Sequence, residues 1–159
     1  MYGAVAAVVR DDQPAAEMML ADLAVALDDV NEVLMTISIA TLERLEVAVS
    51  SGAGWSHTGG LTGGLSARQV LAMASEFGVS SRRTVHAAAW RLDAVRDGDR
   101  SRAAADIVRS QTIGTVDELT YGAIALLAAI VAVWANRTGR SPKVAASDLC
   151  LAASLAAAS

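Results

Sequence analysis

Residues 119–135 read LTYGAIALLAAIVAVWA, seventeen residues without a charge. Thr115 and Glu118 stand ahead of the run at capping-box spacing, where each side chain satisfies the other residue's backbone N–H. Arg137, Gly139 and Arg140 follow it, and a basic last turn with a glycine beyond it is a helix stop. The stretch predicts one long helix, over 119–136, that is apolar on every side. Such a helix has no solvent face and is wrapped by other helices or by lipid. Its length approaches the roughly 20 residues that span a bilayer. Wrapping by protein fits better, because six of the seventeen residues are alanine and one is Gly122, and the helices predicted elsewhere are amphipathic or charged.

The rest of the composition agrees. The 159 residues are 53% hydrophobic but only 4% aromatic. A core of that kind depends on close helix approach rather than on bulky side chains. The length suits one domain. Cys150 is the single cysteine, so no disulfide forms within the chain, and its Ala/Leu-rich setting predicts a small buried residue. MYGAVAAVV has no basic segment before it and meets Arg10-Asp11-Asp12 at once, which is not the pattern of a secretory signal. The expected location is the cytoplasm, with no membrane partner.

Helical signals continue on both sides. Tyr2 to Arg10 reads as a first helix, and Asp11-Asp12-Gln13 as a turn with Pro14 opening a second helix. Met19, Leu23, Ala26 and Val30 repeat at helical spacing. Val30, Leu34, Ile37, Leu45 and Ala48 form the stripe of a third helix. Residues 34–39 also alternate like a strand, but both flanks are helical in pattern. Ser66 and Gln69 form a second capping box, with Gly78 as the C-terminal cap and Ser80 or Ser81 opening the next helix. There the buried stripe is Val85, Ala88, Ala89, Leu92 and Val95, closed by Asp97-Gly98-Asp99. A short helix over 101–110 and an Ala/Leu helix from Pro142 to the end complete the chain. The expected fold is all-α: a single bundle of seven or eight helices around the apolar one. Three segments follow, an acidic helical 1–50, a Gly-rich loop 51–65 and a helical 66–159, within one domain. Ala7-Val8-Val9-Arg10-Asp11 is also echoed by Ala94-Val95-Arg96-Asp97, each before an alanine-rich helix.

Several chemistries are disfavoured. Two histidines and one cysteine make no familiar metal set. Asp28, Asp29 and Glu32 read as a helix start and a solvated face rather than a cation site. The glycines of 59–64 are not followed by Gly-Lys-Ser/Thr, so there is no P-loop. No dinucleotide fingerprint follows a strand. No cofactor, small-molecule ligand or catalytic residue is expected. Six of the twelve glycines fall between Gly52 and Gly64, and a tryptophan stands among them. Long loops inside a domain are often functional, which makes Trp55 and His57 candidates there. Ser56 and His57 are adjacent, which is no evidence of a nucleophile and base.

Charge is uneven. Residues 1–65 carry nine acids against two arginines, and residues 66–110 eight arginines against five acids. These halves attract each other, within one chain or between copies.

Residues 66–92 read SARQVLAMASEFGVSSRRTVHAAAWRL. With Ala74 on a first helix, Phe77-Gly78-Val79 at a turn, Ser80, and Thr84-Val85 on a second, the segment resembles the helix-turn-helix of bacterial DNA-binding regulators. The resemblance covers about a sixth of the chain, and Gly78 to Val85 is one residue longer than the pattern. It implies that Ser81, Arg82, Arg83 and His86 face the major groove of double-stranded DNA. Two expectations therefore stand. One is a non-enzymatic helical interaction module whose partner is another protein or, by self-association, its own copy as a homo-oligomer. The other is a DNA-binding regulator. A protruding, positive surface around Arg82, Arg83 and Arg91 favours DNA, and arginines laid against acids favour simple packing.

Overall fold

The computed structural model describes residues 1–25, 30–51, 60–74, 83–99, 101–102, 105 and 113–158. Among the described residues there are seven helices and no strand: α1 (Tyr2–Val9), α2 (Gln13–Val25), α3 (Val30–Ser51), α4 (Ala67–Ala74), α5 (Arg83–Arg96), α6 (Val116–Arg137) and α7 (Pro142–Ala158). The strand-like alternation at 34–39 lies inside α3, where the helical flanks prevail. Most of the expected helix over 101–110, the caps at Gly78, Ser80 and Ser81, and Asp28 and Asp29 lie outside the described residues.

Local chemistry sets the helix ends. The Thr115 hydroxyl accepts from the Glu118 N–H at 3.4 Å, and the Glu118 carboxylate accepts from the Thr115 N–H at 2.8 Å. Ser66 and Gln69 make the same reciprocal pair at 3.2 and 2.9 Å. Three C-termini close alike. The N–H groups of Asp12, Asp99 and Arg140 reach back to the carbonyls of Ala7, Ala94 and Ala135. The residue before each is left-handed: Asp11 at φ 60°, Gly98 at 73° and Gly139 at 67°. These are Schellman caps. The echo between 7–12 and 94–99 is thus a shared turn: Asp12 and Asp99 then accept the Ala15 and Arg102 N–H groups, as N-caps do.

Helix α6 is the centre. Every residue from Gly122 to Ala135 is buried, and each of the other six helices contacts it. Its apolar window is 89% buried inside the protein, so protein takes the place of lipid around it. Ile124, Leu127, Ile130 and Trp134 are fully buried there. Each such aliphatic side chain contributes about 1.5–3 kcal/mol of burial. Small residues permit the close approach. A β-carbon on Gly122 would lie 2.6 Å from the Thr84 carbonyl group, so α5 crosses α6 in backbone contact.

The described part of the Gly-rich loop is pinned. Leu61 is 1% exposed and its N–H donates to Glu46 Oε2 at 2.8 Å. Arg137 donates to the Thr62 carbonyl at 3.0 Å.

Candidate functional site

Helix α5 has two unlike faces. Val85, Ala89 and Leu92 are buried, and Ala88 and Val95 partly so, as the stripe predicts. Arg83, His86 and Trp90 recur at i, i+3 and i+7 on the other side, and all are exposed. Two arginines from elsewhere stack on the indole. The Arg68 guanidinium lies 4.5 Å from the ring centroid of Trp90 and that of Arg102 lies 5.5 Å away. Both distances are within cation–π range.

Asp93 holds this surface in place. It is 4% exposed and sits on α5, yet it caps α4. Its carboxylate accepts from the Ala67 N–H at 2.6 Å and from the Arg68 N–H at 3.3 Å. It also pairs with Arg68 Nε at 3.1 Å. One carboxylate thus joins α4 to α5 and aims Arg68 at Trp90. Nothing in the sequence signalled this bond, because its partners are 25 and 26 residues away.

Arg83 and His86, two of the candidate DNA-facing residues, are exposed on α5. Ser81, Arg82, Trp55 and His57 lie outside the described residues. Arg91 departs from the expectation of a protruding basic helix, being only 5% exposed. It shares a flank of α5 with Thr84 and Ala88, and Ser38 of α3 and Leu119 and Ala123 of α6 lie beside that flank. These residues line an apolar pocket of about 30 Å³, the space of about one water. A polar cleft of about 290 Å³ lies between Gly64, Ser66, Gln69 and Arg96, with Asp93 and Arg68 in its wall.

A second surface was not foreseen. On α7, Ala145, Ala146, Leu149, Cys150 and Ala153 are buried. Val144, Leu151 and Leu155 are 60%, 61% and 63% exposed. At 3.6 residues per turn these three fall within about 40° of arc, opposite the buried face. Helix α7 is therefore apolar on both sides. The sequence hid this, since an Ala/Leu run does not say which of its apolar residues find a neighbour.

Cys150 is buried, as expected, and burial pushes its thiol up to about 11 against the opposing pull of Arg10 and the N-terminal amine. Such a thiol is a poor nucleophile at neutral pH. Among the described residues no three of His, Cys, Asp and Glu come together to hold a metal ion. No family model, curated protein or solved structure matches the chain.

Proposed function

We propose that this chain is a non-enzymatic helical assembly module that binds a second copy of itself through α7. The outward stripe of Val144, Leu151 and Leu155 carries this reading. Single exposed apolar residues are ordinary, but three on one narrow arc make a patch that water wets poorly. The spacing 144, 148, 151, 155 is that of a coiled-coil seam, with Asp148 as its one polar position. Two copies related by a two-fold axis and packed antiparallel set Val144 of each against Leu155 of the other. Asp148 weakens such a seam, which suits reversible pairing. Sedimentation velocity from micromolar to submillimolar concentration, in about 0.5 M NaCl so that only apolar contacts persist, tests it. A dimer that Leu151→Glu with Leu155→Glu converts to monomer supports the reading. A wild-type chain that remains monomeric throughout removes it.

A second reading is a DNA-binding regulator working through α5, and the exposure of Arg83 and His86 on one face favours it. It expects duplex binding that weakens steeply with salt and is lost in Arg83→Ala with His86→Ala. No mobility shift at low salt removes it.

A further inference from the structure

We infer that the outward face of α5, centred on Trp90, docks head to tail on the outward face of α2 in another copy. This rests on the reading that the chain binds its own copies, and it adds a second, electrostatic contact to the apolar one on α7.

The two faces are complementary in sign and in form. On α2, Pro14, Glu17, Met18, Ala21 and Asp22 are exposed, and they share one side of the helix. Met18 is 62% exposed, with acids on either side of it in sequence. On α5, Trp90 is 44% exposed, with Arg83 and His86 before it and the Arg68 and Arg102 guanidiniums stacked on its ring. Each face is an apolar centre inside charge: Glu17 and Asp22 make α2 negative, and Arg83 makes α5 positive, while Arg68 and Arg102 are also paired with Asp93 and, at 3.7 Å, Asp97. Tryptophan with arginine is the usual anchor of a protein interface, and thioether sulfur packs well on an aromatic ring.

The register matches as well. An antiparallel crossing that sets Trp90 on Met18 puts His86 opposite Asp22, each four residues, or about 6 Å, from the centre. Asp97 and Asp99 are exposed just beyond α5, and a continuous polyanion such as DNA would meet them. Because the two faces differ, the contact is heterologous and builds chains or rings of copies rather than a closed pair.

The experiment uses the full chain carrying Leu151→Glu and Leu155→Glu, so that α7 makes no contribution, with circular dichroism as the folding control. This parent is expected to associate at low salt and to dissociate at about 0.5 M NaCl, where the Debye length is only a few ångströms. Two further variants are made in it. One carries Glu17→Ala, Met18→Ala and Asp22→Ala, and the other Arg83→Ala, His86→Ala and Trp90→Ala. Each is expected to be monomeric alone, and an equimolar mixture to form a one-to-one complex that grows no further. A parent that is monomeric at low salt, or variants that do not complement, overturns the inference and leaves the α7 reading standing if the wild type still dimerises. Conversely, if the α7 changes leave wild-type assembly intact while the two triple variants abolish it, the α7 reading falls and this one stands. Duplex DNA bound through Arg83 and His86 by a parent that does not self-associate would reassign the face and overturn the proposal.

Discussion

Gly122 of α6 lies against the backbone of Thr84 on α5, so close that a β-carbon would sit 2.6 Å from both the carbonyl carbon and the oxygen. It would also lie 2.9 Å from the Thr84 β-carbon. Real β-carbons do not come that near, so Gly122→Ala must push α5 away from the core helix. At an unpacked position the same change would stabilise the helix by about 1 kcal/mol. Here the overpacking reverses the sign, and we expect a loss of about 2–3 kcal/mol in urea denaturation. Thr84→Ala does not rescue it, because the obstacle is mainly backbone. Unchanged or increased stability in Gly122→Ala would show that the helices do not cross this closely.

Asp93 caps a helix to which it does not belong. Asp93→Ala removes a buried acceptor from two backbone N–H groups and from Arg68. The expected cost is about 2–4 kcal/mol, since buried donors lose their partner. Asp93→Asn keeps one oxygen and costs less. The order of the two urea midpoints checks this, and equal midpoints would contradict the capping role.

Asp11 is the left-handed residue in the α1 cap, at φ 60°, where the α5 and α6 caps have glycine. Replacing it with glycine relieves a β-carbon clash of about 1–2 kcal/mol, against the entropy glycine adds to the unfolded chain. Asp11→Gly is expected to raise stability by about 0.5–1 kcal/mol. A lower thermal midpoint would mean that the Asp11 side chain matters more than its backbone.

Burial pushes the Cys150 thiol up to about 11, in spite of the opposing pull of Arg10. A folded-state pKa above the unfolded one gives stability that is complete below pH 9 and is lost as pH rises toward 11. Stability should therefore fall across that range, and fall less steeply in Cys150→Ala. Parallel pH profiles for the two proteins would disprove the assignment. At pH 8, alkylation of the native chain should be slow and should become fast in denaturant.

Leu151→Glu with Leu155→Glu alters residues that are 61% and 63% exposed, so folding should not depend on them. We expect helicity to be retained and the urea midpoint to shift by less than about 0.5 kcal/mol at concentrations where the chain is monomeric. A large loss of helicity would mean that this stripe belongs to the core.

The central helix and its caps were legible in the chain. A run with no charge has no face for water, and Thr115 and Glu118 act within one turn, so period and local bonding suffice to define α6. The buried stripe of α5 and the pair of Ser66 with Gln69 follow for the same reason. The surfaces were less legible. Arg91 looks like any basic residue of an exposed helix until the fold buries it, and Asp93 looks like a solvated acid until it meets Ala67. Leu61, within a run of glycines, gave no sign that it enters the core.

Sequence alone therefore determined that the chain is a helical bundle built around 119–135, because apolar periodicity and helix-end chemistry act over three to seven residues. Which flank of α5 and of α7 remains open was decided only in the folded protein. Burial depends on which distant helix arrives beside a residue, and α7 carries large apolar side chains on both faces. The surfaces on which the proposed assembly rests are those left over once α6 has been enclosed.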